Sequence, residues 1–487
     1  MTASVKMGCN VDFFSSIDLI DNLEEDIESQ LKQLSVYTFS NFLSNDDVQK
    51  FMRTMGTIPS MPTMRYVYTY YLFKKVGPLM GNTEIVDYFH EKVINVSDAT
   101  IAQVYDGCHA VSLLERAKIC GLIERCTRGQ SLNILWNTLR DGMISSSKFH
   151  WAVKQQSNTK KIFGIWPIVN DYYFAGPLAF GLRCEGTVKN ILKHLILDQY
   201  IIFDDCGFLQ SPYDGIFGIS LDLCANVSQD NSGILQFSPD TCIYEIKCRF
   251  KYLFSKSGCD DLAIKYDELY KNPCRETMIN FILAIKKPAI EYVAPGRLPS
   301  EADYLLAEHK DWAIHPKKKR KLTPLHKDIS LCLRANCVVD STVYILTDPL
   351  DCGGQITIKA KFELDVFTNP CHSYFYQLLL QYKVVKDYIH LGPFYSKLGT
   401  LKTYIVTAFF RKRHHTDPSD CYVGSEKLEN SLEIPVVLII TPVVIPAETI
   451  LNSVEKAATF WAKASEETFE AAPWVSSAVY ANGVITP

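Results

Sequence analysis

Residues 434–446, Ile-Pro-Val-Val-Leu-Ile-Ile-Thr-Pro-Val-Val-Ile-Pro, form the longest apolar run of the chain. A membrane-crossing helix takes about 20 apolar residues, and Pro442 would interrupt a helix, so the run reads as a buried strand. Around it, beyond about residue 325, strand-like segments at 341–348, 355–364, 403–410 and 434–441 alternate with helical ones at 372–385 and 450–469. Such alternation builds an α/β core. The 487 residues, 47% of them hydrophobic, suffice for one large core or for two to three lobes.

The first part of the chain reads as helical. Ile20, Leu23, Ile27 and Leu31 fall at helical spacing with acids on the opposite face, and similar patterns occupy 83–94 and 110–126. We therefore expect a mainly helical N-terminal lobe over 1–140 and an α/β core over 141–487. In that core a helix is expected at about 178–198, with strands at 215–227 and 241–252. The 16 cysteines show no C-x-x-C pair and no matching histidine spacing. They read as small buried hydrophobes in a reduced compartment rather than a zinc site or a disulfide framework. The N-terminus lacks the continuous apolar stretch of a secretory signal, so a soluble intracellular protein is expected.

A net charge of −4 argues against binding anionic polymers through bulk charge, so local patches must decide. Lys317, Lys318, Lys319, Arg320 and Lys321 stand between Pro316 and Pro324. Adjacent like charges stay solvated, which makes this an exposed loop with the character of a nuclear import signal. A second cluster, Arg411 to His415, reads equally as a solvated strand end or a phosphate contact.

Within 242–250, alternation sends Glu245 and Lys247 to one strand face and Tyr244 and Ile246 to the other. Neither charge is tolerated in a core unless paired. An edge strand carrying a solvated ion pair is one solution. Upstream, Ile216, Phe217, Ile219, Leu221 and Leu223 mark a strand with Asp222 among them, and the intervening residues are rich in turn formers. Neighbouring strands would set Asp222 beside Glu245, where two carboxylates repel unless protonated or bridged by a cation. Hard oxygen ligands favour Mg²⁺ or Mn²⁺. Glu185 precedes Val188 by three residues and extends the apolar stripe Val188, Leu192, Leu195. It reads as a third inward acid, or as a helix N-terminal acid favourable to the dipole.

The pattern Glu185, Asp222, Glu245-Ile246-Lys247 resembles the active site of the PD-(D/E)xK nuclease superfamily. The segments 141–156, 175–185, 215–227, 244–254, 318–326 and 372–381 together resemble the herpesvirus alkaline exonucleases, above all their gammaherpesvirus members, over nearly the whole chain from about residue 35. The resemblance implies a restriction-endonuclease-like core, a central mixed sheet flanked by helices, across 141–487. It implies an enzyme that uses Mg²⁺, with Mn²⁺ as a substitute and two ions at the site, to degrade linear duplex DNA from its 5′ ends. For gammaherpesvirus members it also implies internal cleavage of messenger RNA and shutoff of host expression, in host nucleus and host cytoplasm. Asp222 and Glu245 then correspond to metal ligands, Glu185 to a further ligand near a second ion, and Lys247 to the cation that activates water. Arg140, Ser145 and Ser147 match contacts to the terminal 5′ phosphate, and Phe250 and Gln377 match neighbours of the scissile nucleotide. Host import machinery and a viral single-strand DNA-binding protein are implied partners; a membrane is not. A catalytically idle nucleic-acid binder on the same fold is the alternative.

Overall fold

The computed structural model describes residues 37–468 apart from 56–58, 97, 156–161, 165–175, 257–259, 294–297, 301–302, 308–323 and 431. The helical pattern of 20–31 and the basic run Lys317–Lys321 therefore lie outside the described residues.

Among the N-terminal helices, α1 (Met61–Leu79) is buried on every side from Met61 to Phe73, and Lys74 and Pro78 near its end reach solvent. Its sequence has no polar stripe, so it can only be a helix that others surround. Pro62 sits in its first turn, where a missing N–H costs nothing. α2 (Leu113–Cys126) begins at Ser112, whose hydroxyl accepts from the Glu115 amide, and α3 (Ile134–Leu139) at Asn133, whose side chain accepts from the Leu135 amide. The end of α2 docks on the rest of the chain through Gly207. Its amide donates to Glu124 Oε1 at 2.7 Å, and a Cβ there would lie 1.9 Å from the Glu124 carbonyl oxygen.

Next come β1 (Ile144–Ser145), α4 (Ser146–Val153) and α5 (Pro177–Ile191), followed by β2 (Ile202–Phe203), β3 (Leu209–Gln210) and β4 (Phe217–Ile219). β5 (Leu223–Gln229), β6 (Leu235–Cys248), β7 (Ser341–Leu346) and β8 (Ile358–Leu364) lead to α6 (Ser373–Leu391). β9 (Lys402–Lys412), β10 (Glu433–Val443) and α7 (Ala447–Thr468) complete the chain. A seven-stranded sheet runs β8-β7-β10-β9-β6-β5-β2, and a small sheet runs β1-β4-β3. In the large sheet β6 and β9 are parallel while β9 and β10 are antiparallel, so the sheet is mixed, as expected.

Alternation along the strands separates two cores. Ile243, Ile405, Val437 and Ile439 join the core that contains Leu378 and Leu379 of α6 and Trp461 of α7. Tyr244, Ile246, Val406 and Leu438 join the core that contains Phe180, Val188 and Ile191 of α5. The first core also contains Val67 and Leu72 of α1, so the N-terminal helices share it with the sheet.

β10 is the apolar run that opens the sequence argument, and it carries Pro435 and Pro442 inside a central strand. β7 pairs with it only over Val437–Ile440, so neither proline interrupts a stretch paired on both sides. A register shift opposite Phe409 and Phe410 absorbs the first of them.

Two expectations change here. β6 lies between β9 and β5 rather than at an edge, so the charges it carries are not on a solvated rim. Arg411 is buried, with Nη1 2.7 Å from Asp417 Oδ2 and Nη2 3.2 Å from Asp348 Oδ2. It is a paired structural cation and not an open phosphate contact.

Candidate active site

The antiparallel register of β5 and β6 places Leu223 opposite Tyr244, which brings Asp222, just ahead of β5, alongside Glu245. Asp222 Oδ2 accepts from the Ile246 amide at 2.7 Å. Ser220 to Asp222 form a break between β4 and β5, not the continuous strand that the apolar pattern suggested. The break frees Asp222 from the ladder and lets its carboxylate reach across to β6.

Glu245 is 1% exposed and points to the α6 side of the sheet. Two glutamines one turn apart on α6 hold it: Gln377 Nε2 donates to Oε1, and Gln381 Nε2 donates to Oε2 at 2.6 Å. Residues i and i+4 share a helix face, so one helix grips both oxygens. Lys247, two residues along β6, pairs with Glu245 Oε1, and its ammonium lies 5.0 Å from the centre of the Tyr374 ring. α6 itself is fixed by Lys383, whose Nζ is 2.8 Å from Asp214 Oδ2 and 2.8 Å from Asp387 Oδ2.

Glu185, on α5, pairs with Lys189 at 2.8 Å. It stands 27% exposed at the edge of the apolar stripe instead of within it. Burial, then Glu245, then Glu185 raise the Asp222 carboxyl well above its ordinary range, with Lys247 and Lys189 opposing. Burial works against the charge of Lys247, but Glu245 and Asp222 outweigh it and hold the ammonium above its usual range. Three carboxylates thus face two ammonium groups. Among the described residues no set of three or more His, Cys, Asp or Glu side chains is drawn together as a closed metal cage. The donors nevertheless fit a hard divalent cation: they are carboxylate oxygens that outnumber the ammonium groups by one, and a cation would relieve the burial and repulsion that raise the Asp222 carboxyl. His372 caps α6, its Nδ1 accepting from the Tyr374 amide at 3.1 Å. Burial, then Arg249, holds its ring down at about 3, so it offers no proton near neutral pH.

A second cluster flanks this one. The Arg140 guanidinium lies 4.0 Å from the centre of the Trp136 ring, and its Nη2 reaches Ser145 Oγ at 3.4 Å. Ser145 Oγ is 3.2 Å from Ser147 Oγ. The ammonium of Lys148 is buried and meets no hydrogen-bond partner among the described residues. Burial, then Arg140, lowers it to about 7, and burial alone lowers Arg140 to about 10. Cations crowded beside hydroxyls, with Asp141 the carboxylate that partly offsets Lys148 and no salt bridge to either cation among the described residues, make a receptor for an anion such as a phosphate.

The chain matches the model of the viral alkaline exonuclease family over residues 29–479. It belongs to that family. It is 52% identical over 479 residues to the shutoff alkaline exonuclease of Saimiriine herpesvirus 2 (strain 11), covering 97% of this chain and 99% of the relative. It superposes with a TM-score of 0.87 on the crystal structure of the shutoff and exonuclease protein (SOX) from Kaposi's sarcoma-associated herpesvirus, at 44% identity over 97% of this chain and 100% of the other. A crystal structure of a SOX–DNA complex matches with a TM-score of 0.82 at 42% identity, over 97% and 99% of the two chains. A SOX–RNA complex matches with 0.81 at 42% identity, over 94% and 100%. The herpesvirus alkaline exonuclease resemblance of the sequence motifs is thus borne out.

Of the residues singled out from sequence, the structure brings Asp222, Glu245, Lys247, Glu185 and Gln377 into one neighbourhood and Arg140, Ser145 and Ser147 into another. Phe250 is 41% exposed in the turn after β6 and meets Phe180 of α5 edge-on, with ring centres 5.4 Å apart. Sequence reasoning missed Lys148, Lys189, Trp136 and Gln381. Lys189 had a usable signal, its i+4 spacing from Glu185. Lys148 adjoins the serine run, and nothing local distinguishes it from a solvated lysine.

Proposed function

We propose that the chain is a divalent-metal-dependent nuclease that resects linear duplex DNA from 5′ ends and also cuts messenger RNA internally. The observation that supports this best is the pairing of a carboxylate cluster short of one positive charge with an adjacent anion pocket that has cations to spare. The DNA and RNA complexes of the homologous SOX protein agree with nucleic acid as the occupant.

Asp222 and Glu245 would hold Mg²⁺ or Mn²⁺, with Glu185 beside a second ion. Bound there, the metal supplies Lewis-acid stabilisation of phosphoryl oxygens and makes water easier to deprotonate. Lys247, paired with Glu245, would act as an electrostatic partner: its ammonium stabilises negative charge as it develops on the phosphate and helps the water lose its proton. Gln377 and Gln381 orient Glu245. Phe250 presents an aromatic edge at the mouth of the site, suited to stacking on an unpaired base. Arg140, Ser145 and Ser147 receive the terminal 5′ phosphate, which sets an exonuclease register from the end of the strand.

Arg140→Ala is expected to slow resection of 5′-phosphorylated duplex by roughly 10–100-fold, the loss of a charge-assisted contact, while internal cleavage of end-blocked RNA falls much less. Rates on the two substrates, measured side by side, check this; an equal loss on both removes the terminal-phosphate role. We also propose that Lys317–Lys321 directs the chain into the host nucleus and that messenger RNA is cut in the host cytoplasm. A fluorescent fusion with these cations changed to alanine should leave the nucleus, and one that remains nuclear contradicts the import role.

A further inference from the structure

The break that carries Asp222 has no strand ladder to hold it, and side chains from three other segments take over. The indole N–H of Trp136 donates to Ser220 Oγ at 2.7 Å. Gln381 Nε2, already on Glu245, also donates to the Ser220 carbonyl at 3.2 Å. Gln130 Nε2 donates to the Leu221 carbonyl at 3.1 Å and to the Cys206 carbonyl at 3.0 Å, from a residue whose own backbone sits at φ 47°. A non-glycine residue in the left-handed region costs energy and persists only where its surroundings demand it. Among these three donors it is Trp136 that also meets the terminal-phosphate cluster, because the Arg140 guanidinium lies over its ring.

We propose that Trp136 is a positioning residue that ties the terminal-phosphate pocket to the catalytic carboxylates, its ring face carrying Arg140 and its indole N–H fixing Ser220, two residues before Asp222. The inference rests on the nuclease reading given above. A planar indole is suited to both tasks at once. Its π-face attracts a guanidinium, and its N–H, on the ring edge, is a donor only. A phosphate seated on Arg140 therefore presses on the same side chain that sets where Asp222 stands. Small displacements of a reacting group cost orders of magnitude in rate, so the link would make correct docking of the strand end and correct placement of the carboxylate a single event.

The test uses the full chain with Mg²⁺ and three substrates: a 5′-phosphorylated duplex, the same duplex with 5′-hydroxyl ends, and RNA blocked at both ends. Trp136→Phe keeps an aromatic face for Arg140 but cannot bond Ser220. It should lower kcat roughly 10-fold, as loss of an outer-sphere partner does, on duplex and RNA alike, with KM for the phosphorylated duplex unchanged. Ser220→Ala, which removes only a hydroxyl, should reproduce that fall, and the double variant should add nothing further. Trp136→Leu removes the ring too and should also lose the preference for phosphorylated over hydroxyl ends. Wild-type kcat in Trp136→Phe, additive losses in the double variant, or retained end preference in Trp136→Leu would each overturn the proposal. A merely structural tryptophan would lower the melting temperature without this split between kcat and KM. A wild-type chain that cleaves no substrate would instead overturn the nuclease reading itself.

Discussion

Glu245→Gln is expected to abolish cleavage of both duplex DNA and RNA, lowering single-turnover rates by roughly 10³-fold or more, the scale on which a preorganised charge acts at a reaction centre. The substitution is nearly isosteric, yet it inverts the local hydrogen bonding. Lys247, Gln377 and Gln381 all donate to the carboxylate, and an amide offers one accepting oxygen and a competing NH₂ group. One buried donor is left without an acceptor, at a cost of about 1–3 kcal/mol. The charge surplus that suits a divalent cation disappears with the carboxylate. Duplex binding should persist, because phosphate contacts outside the cluster carry most of it. Cleavage, duplex affinity and thermal midpoint measured on one preparation check the prediction; wild-type cleavage in a folded Glu245→Gln chain refutes it.

Arg65→Met should cost about 3 kcal/mol of stability. Arg65 is fully buried on α1, its guanidinium 4.7 Å from the Phe39 ring centre and 5.2 Å from that of Tyr68. Nη1 donates to the Asp141 carbonyl at 2.7 Å and Nη2 donates to the Leu139 carbonyl. Burial lowers its pKa to about 10, which leaves it charged at neutral pH. Methionine fills similar apolar volume but strands two buried carbonyls, each costing about 1–3 kcal/mol. Those carbonyls flank Arg140, so the turn that presents this proposed terminal-phosphate contact is clamped from the N-terminal helices. The same variant should therefore lose part of its preference for 5′-phosphorylated ends. Denaturant unfolding together with the ratio of rates on phosphorylated and hydroxyl ends tests both effects, and an unchanged midpoint contradicts the clamp.

The strands around the site were legible because their periodicity is strict. Alternation in 242–248 placed Glu245 and Lys247 on one face, and the structure puts them there, with Tyr244 and Ile246 in the opposite core. The uninterrupted apolar run of β10 marked a buried strand, and it lies between β7 and β9. The break at Ser220–Asp222 was not legible. Its apolar residues continue the strand pattern, and only tertiary donors from Trp136, Gln130 and Gln381 make the irregular backbone tolerable. Gln381 itself sits in a buried helical run where a lone polar residue gives no hint of its partner, 136 residues away in sequence. Lys148 escaped notice for the converse reason: a lysine after a serine run looks solvated, and only the fold reveals that its ammonium is enclosed beside Arg140. The resemblance to herpesvirus alkaline exonucleases supplied roles for Arg140, Ser145 and Ser147 that their spacing alone does not give.

The most direct test of the whole account compares wild type with Asp222→Asn across a Mg²⁺ titration. One substrate is a linear duplex labelled at each end, the other a capped RNA blocked at both ends. Asparagine keeps an oxygen that can accept from the Ile246 amide, so the fold is retained while the charge is lost. The account predicts Mg²⁺-dependent loss of the duplex from its 5′ ends and internal cuts in the RNA, both absent in the variant at every metal concentration. Cleavage by wild type without added metal in the presence of a chelator, or undiminished cleavage by Asp222→Asn, would contradict it.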